Sequence, residues 1–192
     1  SFTFISRDSS SLSSVTVTDS SSLTSFSITD SNYFVSVGSI DLSGCESLES
    51  VVINGCTSLT GIMIPKTLTY CDDGQGYNDW APFYNCSSLK NVTIEEGMVT
   101  IPGFIFVGCP GLEKIVIPDT VTAIGNAAFK DCVNLEAVSM SANLESLGWR
   151  AFSGCTSLTG ITIPKSLTHC DDGQGNNDWA PFYNCSSLKN VT

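Results

Sequence analysis

Cys109-Pro110-Gly111-Leu112-Glu113-Lys114-Ile115-Val116-Ile117-Pro118-Asp119-Thr120-Val121-Thr122-Ala123-Ile124-Gly125-Asn126-Ala127-Ala128-Phe129-Lys130-Asp131-Cys132 is one unit of a pattern that fills most of the chain. Its opening series, Cys-x-x-Leu-x-x-Val/Ile-x-Ile/Met, recurs at Cys45-Leu48-Val51-Ile53, Cys56-Leu59-Ile62-Ile64 and Cys86-Leu89-Val92-Ile94. It appears again at Cys132-Leu135-Val138-Met140 and Cys155-Leu158-Ile161-Ile163, and the last residues fall inside Cys185-Leu188-Val191. The second half is equally regular, with Met98 and Ile101, Val121 and Ile124, and Leu144 and Leu147 at matched offsets, then Phe106, Phe129 and Phe152. A fixed 23-residue period with this apolar register specifies a solenoid, because one coil cannot bury its own apolar edge but stacked coils share a continuous core.

Within a unit, Leu-x-x-Val-x-Ile alternates with period two and reads as a short strand with its apolar side inward. Pro65, Pro118 and Pro164 close that strand. The stretch Ile124-Gly125-Asn126-Ala127-Ala128-Phe129 makes the return, its small residues allowing a tight turn while Phe fills the interior. Strands of successive coils then pair in parallel about 4.8 Å apart.

Two units, Cys56 to Cys86 and Cys155 to Cys185, are seven residues longer. The excess is Asp72-Asp73-Gly74-Gln75-Gly76-Tyr77-Asn78-Asp79-Trp80 and its counterpart Asp171 to Trp179, while Cys71 and Cys170 take the core position of Ile124. Residues 56–93 match 155–192 except at Met63/Thr162, Thr67/Ser166, Tyr70/His169 and Tyr77/Asn176. The array has grown by block duplication and is expected to continue past Thr192. The start, Ser1-Phe2-Thr3-Phe4, has neither Met nor signal peptide and points to excision from a longer protein.

Residues 1–55 form a distinct segment of Ser-rich, 11-residue pieces, set against the longer repeats of 56–192. Of the 29 Ser, 18 lie in the first 50 residues. Ser9-Ser10-Ser11-Leu12-x-x-Val15-x-Val17 is followed by Ser20-Ser21-Ser22-Leu23-x-x-Phe26-x-Ile28, so two pieces can make one thinner coil. The competing reading is a Ser/Thr-rich linker, against which the regular apolar positions argue.

Composition removes several function classes. Eight Lys+Arg against 19 Asp+Glu give a net charge of −11, which repels a phosphate backbone, and no basic stripe marks a nucleic-acid binder. Hydrophobic content of 42% with 14% charged residues argues against disorder. No apolar run reaches the roughly 18 residues of a membrane span. The nine Cys include no C-x-x-C pair, which excludes a zinc finger or ribbon.

Units of the form Cys-x-x-Leu-x-x-Ile-x-Ile-Pro-x-x-Val-x-x-Ile-Gly-x-x-Ala-Phe-x-x-Cys resemble the BspA-type leucine-rich repeats, best at Ile117-Pro118, Ile124-Gly125 and Ala128-Phe129. The resemblance covers 56–192, and 1–55 looks like the shorter repeats found beside such arrays. It implies a repeat solenoid: a right-handed, β-rich leucine-rich-repeat coil with a parallel sheet on one face and short strands and turns on the other. It also implies a secreted or surface-anchored parent protein, for which adhesion is the usual proposal. The acidic insertions and Trp149-Arg150, which stands where small residues are usual, depart from the pattern and put local loop geometry in question.

No residue set commends itself for catalysis, and no cofactor or metal is expected. His169 is the single His, and the duplicated block carries Tyr70 in its place, which suits a turn residue better than a catalytic base. In-register cysteines on adjacent coils would hold Cβ atoms about 4.8 Å apart, where a disulfide prefers about 3.8 Å, so buried thiols are favoured over a redox ladder. The insertions offer hard oxygens of the kind Ca²⁺ takes, but lack EF-hand spacing and its bidentate Glu, and no tight calcium site is expected. They are expected to project on one side, roughly 20 Å apart, as mobile contact points. Asn85-Cys86-Ser87, Asn91-Val92-Thr93, Asn184-Cys185-Ser186 and Asn190-Val191-Thr192 match the N-glycosylation acceptor, but lie where the repeat has its own reasons for those residues.

The outward strand positions are read as Val52, Met63, Thr93, Val116, Ser139 and Thr162, flanked by Glu49, Lys90, Glu113, Lys114 and Glu136. Small and mixed, this column suits a protein or glycan partner better than a deep small-molecule pocket. A non-enzymatic extracellular binding or adhesion module is the leading expectation. A structural spacer projecting another domain, without a ligand of its own, is the alternative, and duplicated blocks suit it because duplication adds length.

Overall fold

The computed structural model describes residues 2–4, 13–17, 20–28, 37–69, 81–170 and 180–192. The chain is a solenoid of parallel strands, without helix among these residues, and matches the leucine-rich-repeat architecture. Residues 72–80 and 171–179, and with them Cys71 and the expected spacing and mobility of the two insertions, lie outside the described residues.

Three stacks of backbone run along the solenoid. The first carries the Leu-x-x-Val-x-Ile segments. It contains β2 (Ser14–Thr16), β4 (Ser39–Asp41), β6 (Gly61–Ile64), β7 (Asn91–Ile94), β9 (Lys114–Val116), β11 (Ala137–Ser139), β13 (Gly160–Ile161) and β15 (Asn190–Val191). Register follows the repeat: Gly61 faces Asn91 across a 30-residue unit, Lys114 faces Ala137 across 23, and Gly160 faces Asn190 across 30. The second stack is β8 (Thr100–Ile101), β10 (Ala123–Ile124), β12 (Ser146–Leu147) and β14 (His169–Cys170).

The third stack begins as β1 (Phe2–Phe4), β3 (Ser25–Ile28) and β5 (Ser50–Ile53), paired in parallel with Phe26 facing Val51. Consecutive 11-residue pieces therefore alternate between the first and third stacks, two to a coil. From Ala81 onward turns replace strands, but the inter-coil ladder continues. Ile53 N–H donates to Pro82 O (2.6 Å), Gly55 to Tyr84 O (2.9 Å), Phe106 to Ala128 O (2.8 Å) and Phe129 to Ala151 O (2.8 Å).

Inside, the matched positions form buried columns. Leu48, Leu59, Leu89, Leu112, Leu135 and Leu158 are all fully buried, as are Phe83, Phe106, Phe129 and Phe152. The rings stack from coil to coil, with centroids 5.5 Å apart for Phe83–Phe106, 5.3 Å for Phe106–Phe129, 5.0 Å for Phe129–Phe152 and 5.6 Å for Phe152–Phe182. Phe83 and Phe182 belong to the column although the insertions displace them by seven residues in sequence. A smaller cluster sits outside it. Ala81, Val107 and Ala127 are buried under Tyr84, Phe104 and Trp149, with Trp149 edge-on to Phe104 at 5.6 Å. Trp149-Arg150 leaves the turn intact, since Arg150 (φ 53°) has the left-handed backbone of its counterparts Ala127 (52°) and Phe104 (62°).

Two details, one of the return turn and one of the core, refine or correct the sequence reading. In the return turn the positive φ belongs to Ala127, not to Gly125. Gly125 is small because the preceding coil runs against it, and a Cβ there would collide with the backbone of Gly103. Gly125→Ala should therefore cost roughly 1–3 kcal/mol by overpacking. Gly38→Ala, whose new methyl would meet nothing nearer than 3.6 Å, should stay within about 0.5 kcal/mol. Denaturant titration of the pair checks this, and equal losses would contradict it.

Cys170 is the correction. It faces Leu147 in the column of Ile124, yet it is exposed rather than part of the core. Leu147 is buried because β14 stacks over it, whereas β14 is the outermost strand of its sheet and, among the described residues, has a strand neighbour on one side.

Candidate functional site

Met63, Thr93, Val116, Ser139 and Thr162 do form one outward column on the first stack. Met63 faces Thr93 across β6 and β7, Val116 faces Ser139 across β9 and β11, and Thr162 shares a 3.1 Å hydroxyl contact with Thr192. All five are exposed, and two of them, Met63 at 47% and Val116 at 66%, leave apolar surface in water. Val52 does not belong with them. It lies on β5, facing Ser27 in the third stack, and is half-buried. The reason is the alternation of 11-residue pieces, which sends the Cys45 strand to the opposite stack from the Cys56 strand.

The flanking charges run beside this column. Lys90 Nζ donates to Glu113 Oε1 at 2.6 Å, and that ammonium holds the Glu113 carboxyl below its usual range. The pair is exposed on both sides and is worth little in stability. Lys114, opposite Ala137, and Glu136, whose N–H donates to Glu113 O (2.8 Å), are exposed as well. Glu49 is exposed but bonds Thr24 O through its N–H, on the side of the third stack.

The first stack is not one unbroken sheet. Its strands form the groups β2-β4-β6-β7, β9-β11 and β13-β15. Between β11 and β13 runs a shallow groove lined by Glu136, Val138, Ser139, Met140, Gly160 and Thr162. Sequence gave no signal of it, since Ala137-Val138-Ser139 and Gly160-Ile161-Thr162 fit the repeat like any others.

The thiols are core groups with a hydrogen-bonding task that spacing alone did not reveal. Five of them donate Sγ–H to a carbonyl of the preceding coil: Cys86 to Ile53 O (3.1 Å), Cys109 to Phe83 O (2.8 Å), Cys132 to Phe106 O (3.1 Å), Cys155 to Phe129 O (3.2 Å) and Cys185 to Phe152 O (3.0 Å). Burial pushes Cys56 and Cys132 up to about 12 and raises Cys86, Cys109 and Cys155 well above the ordinary thiol value. Such thiols are poor nucleophiles, because the thiolate is the reactive form. Cys109, Cys132 and Cys155 should stay unlabelled by a thiol reagent until denaturant is added, whereas exposed Cys170 should react at once. Rapid native labelling of all three, or a mass two hydrogens lower per pair, would contradict this.

Other candidates resolve into structure. The residue before Cys56, Cys86, Cys109, Cys132, Cys155 and Cys185 has a left-handed backbone: Gly55 (76°), Asn85 (59°), Gly108 (63°), Asp131 (59°), Gly154 (76°) and Asn184 (58°). Asn85 and Asn184 thus occupy a site that favours Gly, Asn or Asp on conformational grounds, which accounts for the Asn-Cys-Ser sequons. His169 is exposed on β14, its N–H bonded to Glu145 O (3.0 Å). Among the described residues no group of three or more His, Cys, Asp or Glu is gathered for a metal ion, and no helix is long and apolar enough to cross a membrane.

The fold places the chain among solved solenoids. A leucine-rich repeat protein from Eubacterium ventriosum superposes with TM-score 0.62 at 21% identity, over 92% of this chain and 44% of that one. A leucine-rich repeat protein from Bacteroides ovatus gives 0.53 at 24%, over 92% and 58%. The leucine rich repeat protein of T. pallidum gives 0.52 at 24%, over 69% and 68%. The chain thus spans about half the length of the first two. Comparison with curated protein sequences gives no match. The model of the BspA type leucine rich repeat region matches residues 54–189 in six copies, and the chain belongs to that family.

Proposed function

We propose that the chain is a non-enzymatic binding module of a secreted or cell-surface protein, engaging a protein or glycan through the outward column of the first stack. The observation that carries this reading is the column itself. Met63, Thr93, Val116, Ser139 and Thr162 are presented in line on three bonded groups of strands, with two apolar side chains left in water. A preordered surface loses little entropy on binding, and an open line of small side chains fits an extended partner better than an enclosed one. The secreted or surface setting is supported by the family resemblance.

The spacer reading is favoured by one observation of its own, the near-identity of 56–93 and 155–192. Immobilised protein challenged with a glycan array and with extracellular host proteins separates the two. A Met63→Lys/Val116→Lys variant should retain the thermal transition and lose at least tenfold in affinity. Equal retention by the variant, or no ligand from either panel, would favour the spacer.

A further inference from the structure

The break between β11 and β13 leaves main-chain groups without the neighbours that every intact ladder supplies. On β11, Ala137 N–H donates to Glu113 O and Ser139 O accepts from Ile117 N–H, so both residues spend their backbone groups on β9. By the alternation of a parallel ladder, the N–H and C=O of Val138 and the N–H of Met140 project toward β13. On β13 the situation is mirrored. Thr159 O and Ile161 O accept from Asn190 and Thr192, and Ile163 N–H donates to Thr192 O, so Gly160 and Thr162 turn their groups back toward β11. Among the described residues no backbone hydrogen bond joins the two strands.

The groove therefore shows a row of donors and acceptors on each wall, over the half-buried side chains of Val138 and Met140. Ser139 and Thr162 add hydroxyls at its lip, and Glu136 adds a carboxylate at one end. Cα atoms across it come within 8 Å. An inserted peptide strand would need about 9.6 Å, two inter-strand steps, so the groove cannot take one. That bound restricts anything lodged between the walls to small groups. One hydroxyl between the walls can accept from an N–H on one side and donate to a C=O on the other, at about 2.9 Å each.

We propose that this groove is a subsite for a neutral saccharide, whose closely spaced hydroxyls bridge the free backbone groups of Val138, Met140, Gly160 and Thr162. The apolar C–H face of the sugar would lie over the exposed Ala137, and Glu136 would accept from a vicinal diol. A neutral polyol also suits a chain of net charge −11, from which an anionic glycan would be repelled. The assignment rests on the binding reading above and narrows it to one place and one ligand class.

The test is amide NMR of the ¹⁵N-labelled protein titrated with neutral hexose and N-acetylhexosamine oligomers, taken from the strongest signals of a glycan array. Shifts are expected at Val138, Met140, Gly160 and Thr162, with affinity falling about tenfold in Glu136→Gln and in Ser139→Ala/Thr162→Val. Glu145→Gln, exposed beside the second stack and off the column, should bind as the unaltered protein does, while Thr93→Val reports on binding elsewhere along the column. Saccharide binding that follows Thr93 and spares the groove variants overturns the subsite while leaving the binding module standing. Capture of protein ligands alone overturns the saccharide class. No response at these amides to any oligomer at millimolar concentration overturns the inference outright, and retention of no ligand of either kind removes the binding reading with it.

Discussion

Taken from pH 8 to pH 11, the protein will lose its strands in a steep transition coupled to the release of several protons. The cause is the thiol column. Cys56 and Cys132 are pushed up to about 12 by burial, and Cys86, Cys109 and Cys155 are raised in the same direction. In the unfolded chain these groups ionise near 8.5. A thiol raised in the folded state stabilises the fold fully below the unfolded value. That contribution is lost as pH climbs toward the folded value, because the unfolded chain then binds fewer protons. Each thiol contributes a loss of about 1.4 kcal/mol per pH unit in that window, so five acting together remove roughly 7 kcal/mol per unit. A domain of ordinary stability, about 5–15 kcal/mol, cannot withstand two such units. Far-UV circular dichroism against pH measures the midpoint and the number of protons released. Cys132→Ala should make the transition shallower by about one proton, and a profile flat to pH 11 would contradict the argument.

Phe129→Ala should cost roughly 3–5 kcal/mol, the range for truncating a fully buried aromatic. Phe129 is wholly enclosed and stacks on two rings, Phe106 at 5.3 Å and Phe152 at 5.0 Å, so the deletion opens a gap in the middle of the column. Two stacking contacts vanish with it, each worth about 0.5–1.5 kcal/mol beyond area. Phe182→Ala should cost less, because that ring is half-buried and stacks on Phe152 alone among the described residues. Coils contact only their neighbours, so the Phe129 variant is also expected to lose two-state behaviour, with the flanking coils melting apart. Denaturant titration followed by two probes reads both effects, and a loss below about 1 kcal/mol would place Phe129 outside the core.

The period of 23 residues made the solenoid, the parallel register and the buried Leu and Phe columns legible, because each apolar position repeats and only stacking buries them all. The placement of individual faces was harder. Val52 carries the same local pattern as Met63, yet an 11-residue piece covers half a coil, so the two residues end on different stacks. Gly125 signalled smallness but not its cause, since a tight turn and a close inter-coil approach demand the same residue. The thiol-to-carbonyl bonds were hidden because the acceptor is backbone and carries no sequence signature. For the same reason the β11–β13 groove could not be read: it is a gap between main chains, which carry no sequence signature.

Those nearest-neighbour coils also determine how the molecule yields under tension. Pulled from its two ends, the chain has no long-range clasp among its described elements, so coils can be stripped off one at a time. An ordinary unit of 23 residues would pay out roughly 80 Å of extended chain, and a 30-residue unit roughly 100 Å. Each rupture shears one turn's ladder and unstacks one Phe, so the peaks should be small and numerous. A protein held in flow would therefore lengthen in steps and dissipate load coil by coil, while the coils still stacked keep their faces intact.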